Sequence, residues 1–568
     1  MAMDHQPPGL LRRIALPLGA LLGVAMAATA TVVVLGQARG PECSADLPLK
    51  VAVAPAAQQV VTQVAEDFTK AQPVIADRCV HVSVEPRESS DVAGELPTAR
   101  INPPALWVAD SSVWAQRAAA SAAGEQTGAP RVQVGASLAS TPLVVGAVES
   151  TAQRLGWAEA PMSWRQLVDG SVPVAASDPT TTTEGLLGLA LVRSMFGDGP
   201  QGTPPPELVA ALLRVRDNTV SSVREAASKA QTAGVDNSPV IITTEQFVLA
   251  QNQAAGTRRM LAGYPAEGST ALDFPLIRVT RENEPPGTAE AVAAFERELR
   301  SERTAQRFTD AGFRNAGGKP APGWTLERDG VDPRVEASLP QPTPEQVEAL
   351  LKAWASVNQD TRMLAVLDVS GSMEGRAAGG KTRIELARDA AVTALGMLPD
   401  TSQIGLWAFS TQQAPPNDWR ELVSLGPLGG QLDNGRTRRQ ALAEGVGSLP
   451  GLVRGGTALY DTALAASRAA RQGYDPSKAN AVVLITDGRD EDPQGISLAD
   501  LLNTLRSEAA QAQPVPFITI GLGPDADMDA LNQIATATGG KAYQARQPED
   551  IRSVLLDAIS QRQCRPHC

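Results

Sequence analysis

Five oxygen-bearing side chains, in three separate stretches of the chain, have the residue types and spacing that bind a divalent cation. They are Asp368, Ser370, Ser372, Thr457 and Asp487. The first three alternate directly after the apolar run 363–367. Carboxylate and hydroxyl oxygens are the hard ligands that Mg²⁺ prefers. An isolated Asp-x-Ser-x-Ser stretch is also typical of a capped turn, but the two downstream pieces favour a Mg²⁺ site, with Mn²⁺ or Ca²⁺ as alternative ions.

The elements that position these side chains are predicted to be strands of one doubly wound α/β sheet. From residue 361 to about 562, apolar strand patterns alternate with helical patterns, such as the one-sided spacing of Ile384, Ala387 and Ala391. Each polar piece lies at the end of a predicted strand. Because such sheets bind ligands at the carboxyl ends of their strands, the predicted fold and the predicted site agree.

These residues resemble the metal-ion-dependent adhesion site of von Willebrand factor A (VWA) domains. The resemblance implies that Asp368, Ser370 and Ser372 form the first metal-binding loop and that Thr457 completes it. It also implies that Asp487 acts on the ion directly or through water. In this family the ion keeps one position for water or for a carboxylate of a partner protein. A charge-assisted contact of this kind would strengthen an otherwise ordinary interface.

A second motif overlaps this region and suggests a different chemistry. Residues 375–382 match the phosphate-loop pattern Gly-x4-Gly-Lys-Thr and precede a predicted helix. A phosphate loop follows its strand immediately, whereas here the strand ends at Asp368 and the metal loop intervenes. We therefore interpret this stretch as a glycine-rich connector in which Thr382 caps the following helix.

The first half of the chain also alternates strands and helices, which predicts parallel sheets covered by helices. It resembles the type II periplasmic solute-binding proteins, in particular bacterial extracellular families joined to a VWA domain in actinobacterial surface proteins. The residues that carry the resemblance include Ala109–Trp114 after a buried strand, the strand 143–145 and the polar stretch Ser177–Thr183. The resemblance implies a two-lobed domain that binds a small molecule or a peptide.

Four polar residues are candidates for that ligand site. They are Ser111, Ser112, Thr181 and Gln246. Hydroxyls and backbone N–H groups at the start of a helix can hold a negative group. Simple helix capping is the alternative reading of both serines and of Thr181. Gln246 is included because it follows the strand 240–242.

The N-terminal segment is predicted to cross or enter a membrane. Arg12 and Arg13 precede an uncharged stretch, 14–35, that is long enough as a helix to span the hydrocarbon core of about 30 Å. The arginines indicate a cytoplasmic tail and an extracytoplasmic main body. Ala28-Thr29-Ala30 provides the alternative of a cleaved secretory signal, after which the protein would be secreted.

The resulting organisation has six parts. They are a cytoplasmic tail (1–13), an anchor or signal (14–36), a solute-binding-protein-like domain (44–324), a linker (325–358), a VWA domain (359–563) and a cysteine-containing tail (564–568). The linker is predicted from its prolines and low apolar content. In an oxidising compartment we expect disulfides Cys43–Cys79 and Cys564–Cys568, with free thiols as the alternative and other pairings open.

Composition excludes several classes of function. A net charge of −12 over 568 residues opposes nucleic-acid binding. Only three histidines are present, which disfavours His-based zinc sites and Ser-His triads. The sequence therefore predicts a non-catalytic cell-surface protein that engages a partner protein through its metal site. The alternative is a transport-accessory solute receptor that docks on a membrane permease.

Overall fold

The computed structural model describes most of the chain between Cys43 and Ala545. The described residues are 43–98, 103–124, 129–157, 161–196, 206–254, 256–358, 360–377, 380–509 and 513–545. The predicted tail 1–13, the predicted anchor or signal 14–36 and the predicted tail 564–568 lie outside them. Among the described residues, no helix combines the length and the apolar character needed to cross a bilayer.

The first half of the chain contains thirteen named strands and thirteen α-helices within the described residues. The strands are β1 (Ala45–Val53), β2 (Val74–Ile75), β3 (Arg78–Pro86), β4 (Leu106–Val108), β5 (Arg131–Ser137), β6 (Ala139–Val148), β7 (Val174–Ser177), β8 (Thr219–Val220), β9 (Val240–Thr244), β10 (Met260–Gly263), β11 (Ala271–Leu272), β12 (Pro275–Thr280) and β13 (Arg314–Asn315). The helices are α1 (Gln58–Lys70), α2 (Ser89–Glu95), α3 (Ser112–Gly124), α4 (Glu149–Arg154), α5 (Trp164–Val168), α6 (Thr183–Ser194), α7 (Pro206–Asp217), α8 (Val223–Thr232), α9 (Glu245–Gln253), α10 (Thr288–Leu299), α11 (Glu302–Asp310), α12 (Leu326–Asp329) and α13 (Pro344–Asn358).

These strands form two sheets, one for each lobe. The first has the order β2-β3-β1-β4-β12-β5, and the second has the order β10-β6-β9-β7-β8, with β11 and β13 also paired to β6. The chain passes between the sheets three times, from β5 to β6, from β11 to β12 and from β12 to β13. All ten residues of β6 are buried, because a central strand is covered on both faces. The predicted two-lobed α/β fold is confirmed.

Helix α13 lies within the predicted linker and packs on the first domain. Its apolar side chains Val347, Leu350, Trp354 and Val357 are buried in the same core as the strands of the two lobes. It contacts α3, which follows β4 of the first sheet, and also α6 and α7, which flank the second sheet. The packed core that begins at β1 therefore extends to the end of this helix.

The second half of the chain forms one six-stranded sheet with helices on both faces. Its strands are β14 (Thr361–Asp368), β15 (Gln403–Ala414), β16 (Asn417–Pro427), β17 (Ala479–Thr486), β18 (Phe517–Leu522) and β19 (Lys541–Ala545). Its described helices are α14 (Arg383–Met397), α15 (Arg438–Ser448), α16 (Leu459–Arg471), α17 (Leu498–Ala509) and α18 (Met528–Ala537). The strand order is β16-β15-β14-β17-β18-β19, in which only β16 is antiparallel to its neighbour.

This strand order places a crevice beside β14. The chain runs outward from β14 to β15 on one side and later continues from β17 to β18 on the other side. Two apolar clusters, one on each face, pack the helices against the sheet. Ligands of doubly wound sheets bind where the strand order reverses, outside the carboxyl ends of the strands. The predicted Rossmann-like fold is confirmed, and β14 and β17 end at this crevice.

A disulfide joins Cys43, just before β1, to Cys79 in β3, with the two Cα atoms 5.4 Å apart. The predicted Cys43–Cys79 pairing is confirmed. Because β1 and β3 are parallel neighbours, the bond reinforces the start of an existing strand pair. The predicted Cys564–Cys568 pairing lies outside the described residues.

Candidate metal centre

The first loop of the candidate centre begins at the last residue of β14. The backbone N–H of Ser370 donates to Oδ1 of Asp368 at 2.7 Å, and the hydroxyl of Thr486, at the end of β17, donates to Oδ2 at 2.5 Å. A short 3₁₀ turn over Gly371–Glu374 follows. These contacts fix the orientation of the buried Asp368 carboxylate.

The other predicted ligands join the same hydrogen-bond network. The hydroxyls of Ser370 and Ser372 lie 3.0 Å apart, and the hydroxyl of Thr457 donates to Ser370 Oγ at 3.1 Å. Ser372 Oγ donates to Oδ1 of Asp487 at 2.6 Å. The structure therefore brings all five predicted residues together, although they come from three distant stretches of sequence.

Glycine backbone positions the loop that carries Thr457. Gly455 has a φ of +69°, and a Cβ there would lie 2.7 Å from the hydroxyl of Thr411. Its carbonyl accepts from the N–H of Gly371 at 2.9 Å, and the carbonyl of Gly456 accepts from the N–H of Thr411 at 2.8 Å. The two glycines thus permit a close approach that links this loop to the first loop and to β15.

Two buried carboxylates dominate the electrostatics of the cluster. Asp368 and Asp487 are both fully buried. Burial and, to a smaller extent, the charge of Asp487 raise the pKa of Asp368 to about 7, against the opposing effect of the hydrogen bonds from Thr486 and Ser370. Asp487 has a cationic neighbour, because Nη1 of Arg383 lies 2.7 Å from its Oδ2. A divalent cation would offset the cost of the second buried negative charge.

The residues present fit a small divalent cation. Two carboxylates and three hydroxyls offer the hard oxygen atoms that Mg²⁺ selects. Gly488 keeps space open beside them, since a Cβ there would lie 3.1 Å from Thr457 Oγ1 and 3.7 Å from Ser372 Oγ. Within the described part of the chain, no group of three or more His, Cys, Asp or Glu side chains could hold a metal. The candidate centre therefore depends on hydroxyl groups as well as carboxylates.

The overlapping phosphate-loop motif has the predicted structural role. Thr382 caps α14 by accepting from the N–H of Glu385, and the Glu385 side chain accepts from the Thr382 N–H in return. Lys381 forms an ion pair with Asp389 at 2.7 Å. The prediction that Thr382 caps the helix is confirmed.

In the first domain, two candidate ligand residues bind the side chain of Gln341, which lies in the segment between β13 and α13. The hydroxyls of Ser111 and Ser112 donate to Oε1 of Gln341 at 2.7 and 3.2 Å. The amide nitrogen of Gln341 donates to the carbonyl of Ala271 and to Oδ1 of Asp273. Ser111 Oγ also accepts from the N–H of Val113, which is the capping role that was the alternative reading.

Thr181 and Gln246, the remaining candidates, form no hydrogen bond with these serines within the described part of the chain. The carbonyl of Thr181 accepts from Ser90 Oγ at 2.8 Å, so its loop contacts the first lobe through the backbone. Helix α6 is capped by the neighbouring Thr182. Gln246 donates its side-chain amide to the carbonyl of Ala311 and has no hydrogen bond to the other candidates.

Sequence reasoning did not select the polar groups that join the lobes. Asp110 accepts from the hydroxyl of Thr183 at 2.8 Å, and that hydroxyl accepts from the indole N–H of Trp114. Burial, with the charge of Asp110 nearby, raises the pKa of Glu88 to about 7 and that of Glu184 to about 8. Burial also raises the pKa of Asp110. The signal for Asp110 was its place just after the buried strand that became β4, beside the serines that were selected.

Comparison with known proteins assigns two segments of the chain. Residues 49–314 match the family described as bacterial extracellular solute-binding protein, and residues 363–556 match the von Willebrand factor type A domain. A search of curated proteins gave no match.

Solved structures similar to the chain include representatives of both classes. A von Willebrand factor type A protein from Catenulispora acidiphila is 23% identical, with a TM-score of 0.29, over 36% of this chain and 42% of that chain. A periplasmic thiamin binding protein is 14% identical, with a TM-score of 0.40, over 55% of this chain and 95% of that chain. The sulfate-binding protein SubI from Mycobacterium tuberculosis H37Rv is 16% identical, with a TM-score of 0.34, over 50% and 96%.

Proposed function

We propose that this chain, which joins an extracellular solute-binding domain to a VWA domain, is a non-catalytic binding protein that engages a partner protein through a divalent ion. The observation that carries the proposal is the convergence of Asp368, Asp487 and three hydroxyls at one crevice. The ion would be Mg²⁺, or Mn²⁺ or Ca²⁺ in its place. When bound, it would supply a position for a carboxylate of the partner.

The chain's own residues prepare this contact. Thr486 and the N–H of Ser370 orient the Asp368 carboxylate, and Thr457 orients the Ser370 hydroxyl. Ser372 is exposed, although its hydroxyl bonds to buried Asp487, so the centre lies at the protein surface. A partner side chain can therefore reach the centre without a rearrangement of the sheet.

Two observations support a role of this protein outside the cytoplasm. The match to an extracellular solute-binding family indicates an extracytoplasmic domain, and the Cys43–Cys79 disulfide is typical of an oxidising compartment. We further propose that 14–36 anchors the protein in the membrane as a single span, with signal cleavage and secretion as the alternative. The apolar stretch that continues past Ala30 supports the anchor.

A second candidate function is that of a transport-accessory receptor that passes a small molecule or peptide to a permease. The contacts of Gln341 favour a polar ligand site, because Ser111 and Ser112 already hold a carboxamide between them and Asp273. In this reading a free ligand would replace Gln341 at the two serines. The VWA domain would then serve as the docking module.

Selection from a library of displayed peptides tests the proposed partner chemistry. Peptides captured by the full-length protein in MgCl₂ and released by EDTA are expected to be enriched in Asp and Glu, because the partner must supply a carboxylate. The same selection on the Asp368→Ala protein is the control and should show no such enrichment. EDTA-released peptides without acidic residues would contradict the proposal.

Metal binding is expected to weaken below neutral pH. Burial raises the pKa of Asp368 to about 7, so in the metal-free protein this carboxyl is mostly protonated at pH 6 and mostly ionised at pH 8. A cation must displace that proton, which lowers its apparent affinity by up to about tenfold per pH unit below the pKa. Calorimetric titration of Mg²⁺ at both pH values, in buffers of different protonation enthalpy, measures the affinity and the proton release. Equal affinities at pH 6 and pH 8 would contradict the assignment.

A further inference from the structure

Arg383 is a cation built into the wall of the candidate metal centre. Its Nη1 lies 2.7 Å from Asp487 Oδ2, and its Nη2 lies 2.6 Å from Asp525 Oδ2. The Asp487 side chain is fully buried, whereas that of Asp525 is 68% exposed. Of the two ion pairs that Arg383 forms, the one with Asp487 is therefore the stronger, because exposed ion pairs contribute little to stability.

The position of the guanidinium is closely determined. Arg383 is the first residue of α14, whose start is fixed by the capping box of Thr382 and Glu385. The guanidinium lies between two backbone segments, since a Cβ on either Gly375 or Gly523 would come within 3.6 Å of its carbon atom. The side chain thus has little freedom to leave Asp487.

The pairing determines which oxygen atoms of Asp487 remain for an ion. Oδ2 accepts from Arg383, while Oδ1 accepts from the hydroxyl of Ser372, which belongs to the hydroxyl cluster. An ion at that cluster would meet Oδ1, with Oδ2 held on the far side by Arg383. The guanidinium also partly offsets the negative charge of the centre.

We propose that Arg383 is a specificity-determining residue that confines Asp487 to one oxygen atom and thereby selects Mg²⁺ over Ca²⁺. The inference rests on the proposed metal-dependent function. Calcium takes six to eight oxygen ligands and often binds a carboxylate through both oxygens, whereas Mg²⁺ binds fewer protein oxygens and keeps several waters.

Titration of Mg²⁺ and Ca²⁺ into full-length, EDTA-treated Arg383→Gln protein at pH 8 tests the inference. The variant is expected to bind both ions more tightly, by about tenfold, because a cation close to the site is removed. Its preference for Mg²⁺ over Ca²⁺ is expected to fall, because both oxygens of Asp487 become available. Arg388→Gln is the matched control, since Arg388 lies on the same helix but pairs with Asp389.

The Arg383→Lys variant keeps the positive charge but lacks the guanidinium group. It therefore distinguishes the effect of the charge from that of the paired hydrogen bonds, and it provides a second variant in case Arg383→Gln does not fold. It should keep an affinity for Mg²⁺ near that of the wild type, because the charge is retained. Unchanged affinity and unchanged ion preference in Arg383→Gln would overturn the inference while leaving the proposed function intact. Absence of binding by the wild type and all variants would overturn both.

Discussion

Asp368→Ala is expected to weaken Mg²⁺ binding to the full-length protein by about 100-fold or more, because loss of an outer-shell partner alone costs 10–100-fold. The carboxylate is central to the candidate centre: it is fully buried and lies at the end of β14, where the backbone of Ser370 and the hydroxyl of Thr486 hold it. Calorimetric titration at pH 8, where the group is ionised, measures the loss.

Two further variants make this prediction specific. Thr486→Val removes the hydroxyl that orients Asp368 without removing a carboxylate, and should weaken binding by about tenfold. Asp389→Ala changes the net charge in the same way as Asp368→Ala, but its carboxylate pairs with Lys381 at the surface. This control should bind Mg²⁺ like the wild type. If Asp389→Ala and Asp368→Ala reduced the affinity for Mg²⁺ equally, the loss would reflect the overall charge of the protein. That result would contradict a direct role of Asp368 in binding the ion.

Glu245→Ala is expected to lower the free energy of unfolding of the first domain by about 3–5 kcal/mol, because it leaves a buried guanidinium without its partner. The Glu245 and Arg314 side chains are 0% and 1% exposed and share two hydrogen bonds, at 2.6 and 2.7 Å. The hydroxyl of Tyr264 donates to the same carboxylate at 2.6 Å. Denaturant unfolding followed by circular dichroism measures the change.

An exposed ion pair provides the comparison for Glu245. Glu66 and Lys70 lie one turn apart on α1, with side chains 59% and 71% exposed. Glu66→Ala should therefore change the free energy of unfolding by no more than about 1 kcal/mol. Replacing Glu245 and Arg314 together by Leu and Met should restore most of the stability lost in Glu245→Ala, since no buried charge remains. A Glu245→Ala protein as stable as the Glu66→Ala protein would contradict this account.

The sequence was sufficient to predict the fold class and to select the five residues of the candidate centre. Local strand signals and the resemblance to VWA domains made this possible together. The apolar runs before Asp368 and Asp487 indicated strand ends, and the carboxyl ends of parallel strands in one sheet meet at the same edge. Thr457 was selected through the resemblance to VWA domains, and the strand end predicted for its stretch was wrong, since it lies in a loop before α16 (Leu459–Arg471). Each strand signal lies within a few residues of the side chain that it locates.

Contacts between distant segments were not predictable in this way. Arg383 and Asp487 are 104 positions apart, and Ser111 and Gln341 are 230 apart, with no periodic pattern that pairs them. The segment of Gln341 is rich in proline and poor in apolar residues, which favours a linker, yet the following helix buries Trp354 against both lobes. Tertiary packing of a few large apolar side chains determined that outcome.

The most direct test of the proposed metal-dependent function is anomalous diffraction from crystals of the protein grown with MnCl₂. Mn²⁺ is chemically close to Mg²⁺ in its preference for oxygen ligands and can be located by its anomalous signal. The proposed function predicts a peak enclosed by Asp368, Ser370, Ser372, Thr457 and Asp487. Crystals grown in saturating MnCl₂ that show no anomalous peak at the crevice between β14 and β17 would contradict it. A strongest peak at another place in the protein would contradict it as well.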